Sequence, residues 1–111
     1  MRAALLGLAV TVLPACHEHK IWVNNAGTGV ALVHVRWYTS HEEPITGYTW
    51  WEREHDNWTV GPGQSGEQNY PNPYLELIIT EEASGAVLFQ SRLNDGDFRD
   101  EHGRLELTVY P

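Results

Sequence analysis

The sequence predicts an all-β protein, built as a small antiparallel β-sandwich of six to eight strands with an immunoglobulin-like or similar topology. Apolar and polar side chains alternate along residues 30–39 and 74–81, which is the period-two pattern of half-buried strands. Turn-forming residues separate these segments, and no segment shows the 3.6-residue period of an amphipathic helix. A small β-barrel is the alternative architecture.

The two clearest strands carry their apolar side chains on one face. In residues 30–39 these are Val33, Val35 and Trp37, and β-branched and aromatic residues, which strands favour, dominate the segment. In residues 74–81 they are Leu75, Leu77 and Ile79. Shorter extended segments are predicted at residues 21–23, 48–53, 58–60, 87–90 and 104–110. Loops or turns are predicted at residues 24–29, 40–46, 61–66, 82–85 and 94–103.

The first fifteen residues differ from the rest of the chain. Arg2 provides a short basic start, and residues 3–15 carry no charge and are almost wholly apolar. This layout is typical of a secretion signal peptide, and the apolar run is shorter than the roughly 20 residues that a transmembrane helix needs. A buried N-terminal helix or strand is the alternative.

The end of this segment resembles the lipobox of bacterial lipoproteins. An aliphatic residue, Leu13, stands three positions before Cys16, and the small Ala15 directly precedes it. The resemblance covers residues 1–16 only. It implies that the signal peptide is cut before Cys16, and that this cysteine carries the lipid that holds the protein on a membrane of the bacterial cell envelope. In this family an Asp after the cysteine favours retention at the inner membrane, so His17 favours the outer membrane where a cell has both.

The predicted organisation therefore has three parts. Residues 1–15 are a cleaved signal peptide, residues 16–20 are the lipidated cysteine and a short polar tether, and residues 21–111 are one β-domain. Because Cys16 is the only cysteine, no intramolecular disulfide can form. A free thiol or an intermolecular disulfide is the alternative to lipidation.

The charge balance argues against two classes of partner. Without Arg2, the chain has 6 basic and 15 acidic side chains, a formal balance of −9. A nucleic acid needs a basic protein surface, and so does electrostatic docking on anionic lipid. The lipid on Cys16 is therefore expected to supply the membrane affinity.

Aromatic residues in the first half of the domain are the candidate ligand or partner surface. Tyr48, Trp50, Trp51 and Trp58 flank residues 52–57, a charged segment predicted to be loop-like. The favoured interpretation is that the tryptophans fill the core of a sandwich without disulfides. If exposed, they would stack on sugar rings or anchor a partner protein.

No catalytic group, metal site or cofactor site is predicted. Residues 63–67 depart from the nucleophile-elbow pattern, and residues 94–101 are predicted to be a solvated acidic loop in preference to a calcium site. His17 and His19 provide only two ligands, which make no closed site, and the other four histidines lie on different segments. The chain is thus predicted to be a membrane-anchored envelope lipoprotein and not an enzyme. Its β-domain is expected to have a binding or structural role, recognising another envelope protein. A carbohydrate-binding module using surface Trp and Tyr side chains is the alternative.

Overall fold

The structure, a computed structural model, describes residues 18–99 and 103–111. The predicted signal peptide and Cys16 lie outside the described residues. Within the described part, no helix has both the length and the apolar character needed to cross a membrane. The strands are β1 (Lys20–Asn25), β2 (Ala31–Glu42), β3 (Thr49–Val60), β4 (Ser65–Asn69), β5 (Glu76–Glu81), β6 (Val87–Arg92) and β7 (Arg104–Val109).

The strands form two sheets, which confirms the predicted sandwich and not the barrel. One sheet has the order β3-β2-β5-β6, with every neighbouring pair antiparallel. The other has the order β4-β1-β7, in which β1 pairs antiparallel with β4 and parallel with β7. The parallel pair departs from the predicted all-antiparallel arrangement, because the first and last strands run side by side in the same direction.

The core lies between the inward faces of the two sheets. Ile21 and Val23 of β1 face Val33 and Val35 of β2, and all four side chains are fully buried. Leu77 of β5 pairs with Val35 and continues the same inward face. The alternation predicted for these strands is therefore confirmed, and burial of their β-branched and aliphatic side chains is the main stabilising contribution.

Strand β4 was not predicted, and residues 61–66 were expected to be a turn. The segment Ser65–Asn69 is entirely polar or glycine, so it lacks the apolar alternation that marks a strand. Its place in the sheet comes from backbone pairing with β1. Gly66 also makes room for a large neighbour, since a Cβ at this position would lie 2.9 Å from Cζ3 of the Trp58 ring.

Strands β2 and β3 extend beyond the rest of the sandwich as a long hairpin. The pairing of β2 with β3 runs from Ala31–Val60 to Glu42–Thr49, whereas its pairing with β5 ends at Arg36–Glu76. Residues 37–54 therefore form a two-stranded projection, called the arm below. The predicted loops at residues 40–46 and 52–57 are wrong where they fall inside β2 and β3. Their charged side chains reflect exposure on the arm and not a break in the strand.

The last two residues of the predicted tether, residues 16–20, are held against the sandwich. The amide of His19 donates a hydrogen bond to the side chain of Asn69, and the carbonyl of His19 accepts one from the amide of Tyr70. Lys20 is already the first residue of β1. Residues 19 and 20 are thus part of the folded domain, whereas Cys16 and His17 lie outside the described residues.

Tyr70 joins the base of the arm to the end of the sandwich. Its hydroxyl accepts a hydrogen bond from Trp58 Nε1 at 2.8 Å and donates one to the carboxylate of Asp56 at 3.0 Å. Its ring meets that of Trp37 edge to face at a centroid distance of 5.3 Å. Burial, followed by the hydrogen bond to Asp56 and its charge, raises the pKa of Tyr70 above its ordinary value, although the Trp58 donor acts in the opposite direction.

Replacing Tyr70 with Phe should lower the free energy of unfolding by about 1–3 kcal/mol, because Trp58 Nε1 and Asp56 lose a partner in a half-buried place. Chemical denaturation measures this loss. Tyr110→Phe, at an exposed position near the end of the chain, is the matched control and should leave stability unchanged.

The same variant tests the pKa of Tyr70. A raised pKa in the folded state gives stability that is complete below the ordinary tyrosine value of 10.0 and is lost as the pH rises above it. This alkaline loss should be smaller in Tyr70→Phe than in the unmodified protein. Equal alkaline loss in both proteins would show that Tyr70 is not the group responsible.

Candidate functional site

The four predicted surface aromatics lie in three different places. Side chains alternate along β3, so Trp50 and Trp51 point to opposite faces of the arm, and they are 40% and 65% exposed. Tyr48 lies beside Trp50, whereas Trp58 packs against the core. Eight residues at about 3.4 Å each separate Trp50 from Trp58 by about 27 Å. The prediction that the tryptophans fill the core is therefore correct for Trp58 and wrong for Trp50 and Trp51.

Three rings on one face of the arm lie nearly parallel. Tyr48 and Trp50 have a centroid distance of 6.0 Å and an interplanar angle of 16°. His41, which is the direct β2 partner of Trp50, lies 5.4 Å from it at 19°. Such cross-strand and same-face pairs stabilise a hairpin, and here they also leave aromatic surface in contact with solvent.

The turn at the end of the arm is held by Glu43. Its carboxylate accepts hydrogen bonds from the amides of Ile45 at 3.0 Å and Thr46 at 2.8 Å. The amide of Ile45 and then the Thr46 hydroxyl are the main causes that lower the pKa of this exposed carboxyl group. Gly47 completes the turn with a φ of 71°, a conformation that favours glycine. Ile45 is 93% exposed on this turn.

His41, Glu52 and Glu54 form a group of possible metal ligands on the same face as Trp50. One ligand atom from each lies within 4.8 Å of the others, and His41 Nε2 is 3.0 Å from the Glu52 carboxylate. A histidine with two carboxylates is a donor set that zinc accepts. The sequence did not show this group, because His41 and Glu52 meet only across the strand pair.

Two grooves that share Tyr38 and Tyr74 lie on the other side of the arm. The first has a volume of about 530 Å³ and lies where β5 begins and β6 ends. Its polar and aromatic lining includes Arg36, Tyr38, Arg53, Tyr74, Glu76 and Arg92. The second, about 570 Å³, extends from the two tyrosines to Trp51, Pro71 and Asn72. Both grooves are open to solvent.

The first groove is positively charged on an acidic protein. Arg36 forms an ion pair with Glu76 at 2.6 Å, and Arg92 approaches the same carboxylate at 3.4 Å. Arg53 lies over the Tyr38 ring at 5.9 Å and has no carboxylate partner among the described residues. Three arginines thus face one carboxylate here, whereas the whole chain has a formal charge of −8.

Sequence reasoning missed these grooves because their residues come from distant segments. Arg36 and Tyr38 alternate with the core positions of β2, which was the available signal that they face outward. Nothing in the order of residues indicated that Tyr74 and Arg92 would lie beside them. The pairing of β5 with β2 and of β6 with β5 brings these segments together.

The described histidines do not form a shared metal site. The rings of His34 and His55 stack at 6.1 Å on the outer face of the sheet, and the His34 ring hydrogen-bonds to Asn57. His41 lies on the opposite face of the arm. His17 and His102 lie outside the described residues.

The predicted acidic loop contains a short 3-10 helix, Asp95–Phe98, whose first turn is capped by Asn94. Arg99 forms an ion pair with Asp95 at 3.2 Å, and the buried Phe98 ring fixes this helix to the core. No cluster of metal ligands occurs in the described part of the loop. Asp100 and Glu101 lie outside it.

Comparisons with known proteins support the fold class alone. No protein-family model matches the sequence, and no curated protein matches it. A solved structure described as "Trapped Toxin" is similar, with a TM-score of 0.50 and 13% sequence identity over 83% of this chain. The match covers only 22% of that longer chain. At this identity the likeness concerns the β-sandwich architecture alone.

Proposed function

We propose that this protein is a lipid-anchored component of the bacterial cell envelope, held by Cys16, whose β-domain recognises another envelope protein through the two grooves beside the arm. The observation that carries the proposal is the grouping of exposed tyrosine, tryptophan and arginine side chains along these grooves. The same chemistry supports binding and not catalysis, because the grooves are open and combine aromatic faces with guanidinium groups.

The residue types in the grooves are those that dominate the energy of protein interfaces. Tyr, Trp and Arg are enriched among the residues whose truncation costs the most binding energy. Tyr74 is 67% exposed, and Tyr38 and Trp51 are also exposed, so each keeps apolar ring surface in water. Burying that surface under a partner would gain about 25 cal/mol per Å², and aromatic side chains lose little conformational entropy on binding.

The charge of the first groove indicates what a partner would present. Arg36 and Arg92 already share the Glu76 carboxylate, whereas Arg53 has no carboxylate partner among the described residues and is the guanidinium best placed to bind one. Guanidinium groups bind carboxylates through two parallel hydrogen bonds, which favours an acidic side chain or a chain terminus. The acidic body of this protein would repel such a partner elsewhere and direct it to the groove.

Carbohydrate binding is the second candidate, and one observation favours it. Tyr48, Trp50 and His41 present nearly parallel rings on the face of the arm opposite the grooves. Aromatic faces with neighbouring carboxylates, here Glu52 and Glu54, are the combination that sugar rings require for stacking and hydrogen bonding. Loss of glycan binding in Trp50→Ala but not in Arg53→Gln would favour this function over the first.

Site-specific photocrosslinking in cells tests the protein partner. A photoreactive residue placed at position 74 should give a defined adduct with an envelope protein, and Arg53→Gln should reduce the yield of that adduct several-fold. The same residue at position 110, which is equally exposed but distant from the grooves, is the control. Equal adducts from both positions, or none from position 74, would contradict recognition through the grooves.

The anchoring half of the proposal has its own test. The intact mass of the mature protein should correspond to a chain that begins at Cys16 and carries a lipid, and Cys16→Ser should leave the chain unprocessed or release it from membranes. The unmodified protein and the variant are compared after membrane fractionation. A mature chain cut elsewhere, with an unmodified thiol, would contradict lipidation.

A further inference from the structure

The arm and the N-terminal segment leave the sandwich at the same end. Strand β1 runs from Lys20 to Asn25, and the side chain of Asn25 donates to the carbonyl of Val60 at the opposite end of the hairpin. At the other end, Tyr70 contacts both His19 and Trp37, where the arm begins. β2 therefore projects in the direction from which the chain enters β1.

The arm is longer than the segment that connects the domain to Cys16. Three residue steps separate Cys16 from His19, and extended residues span at most about 3.3–3.6 Å each, or about 11 Å in total. The five β2 residues beyond Trp37 extend about 17 Å at about 3.4 Å each, and the turn after Glu42 lies farther still. A lipid on Cys16 thus brings the end of the arm to the membrane surface.

The end of the arm has the composition of a membrane-interface element. Ile45, Tyr48 and Trp50 are exposed there, and tryptophan and tyrosine prefer the boundary between headgroups and acyl chains. Residues 38–52 contain no lysine or arginine, and Glu42 and Glu43 lie beside the turn. Contact with lipid would therefore depend on the apolar and aromatic side chains, and a zwitterionic lipid fits better than an anionic one.

We propose that the arm tip, defined by Ile45, Tyr48 and Trp50, inserts into the headgroup region of the membrane to which Cys16 is anchored. The inference rests on the proposed lipidation and adds a second, non-covalent membrane contact to it. The tip contact buries apolar area in the membrane in addition to the acyl chains on Cys16, so it increases retention. Two attachment points also fix the orientation of the domain and hold the Tyr38 and Tyr74 grooves close to the membrane surface.

Quenching of tryptophan fluorescence by brominated lipid tests this contact. The mature lipidated protein is reconstituted in phosphatidylcholine vesicles whose acyl chains are brominated near the headgroup, and its emission is compared with that in unbrominated vesicles. Bromine should remove up to about a fifth of the emission, because Trp50 is one of five tryptophans and is the one that the tip places at that depth.

Two variants and one control locate the effect. Trp50→Phe should abolish most of the bromine-dependent loss, whereas Trp58→Phe, about 27 Å away along β3, should leave it unchanged. Ile45→Asp should also reduce the loss without changing the melting temperature, because Ile45 is almost fully exposed and contributes no core packing. A bromine-dependent loss that persists in both Trp50→Phe and Ile45→Asp would overturn the assignment of the tip.

The remaining outcomes separate this inference from the proposed anchoring. Protein shown by mass to carry its lipid, but with equal emission in both kinds of vesicle, would overturn tip insertion and leave lipidation intact. Protein that carries no lipid would overturn the anchoring itself. A soluble glycan that changes Trp50 emission when vesicles are absent, in protein that shows no bromine effect, would assign these rings to sugar and overturn the lipid contact.

Discussion

The rest of the structure depends on one feature of β2, which loses its pairing with β5 after Arg36 but keeps its pairing with β3. Up to Arg36 this strand has β3 on one side and β5 on the other, and the second sheet covers its inward face. Beyond it, the backbone is paired with β3 alone among the strands. A two-stranded hairpin is marginally stable in water without further packing, so the arm needs support at its base. The contacts of Tyr70 with Asp56, Trp58 and Trp37 provide that support.

Both proposed binding surfaces follow from this geometry. The grooves exist because β5 begins and β6 ends where the arm continues, so Tyr38 and Arg53 lie beside Tyr74 and not beside another strand. The arm tip is exposed because the hairpin turn lies well beyond the core. A stable sandwich gains nothing from Ile45, which is 93% exposed, since apolar surface in water contributes no burial energy. The proposed membrane contact would account for this side chain, which folding does not.

The sequence predicts the buried half of this protein much better than the exposed half. Alternation at Val33 and Val35 identifies the core face of β2, because burial on one face imposes the period of two. The arm has no buried face to impose this period. The charges at residues 52–57 therefore suggested a loop where β3 is continuous. How far the second sheet extends along β3 decides which tryptophans are buried. Trp58 packs against the core, whereas Trp50 and Trp51 are exposed on opposite faces. The groove residues meet only through strand pairing, which one sequence does not show.

Residue-resolved amide hydrogen exchange of the mature protein tests most directly whether the arm is an ordered extension of the hairpin. The pairing of Thr39 with Glu52 and of His41 with Trp50 predicts protected backbone amides on alternate residues of β2 and β3 out to these pairs. Protection should be lower there than at Val33 and Val35, because the arm can open without exposing the core. Unprotected exchange throughout residues 38–42 and 49–53, with a protected core, would contradict the account.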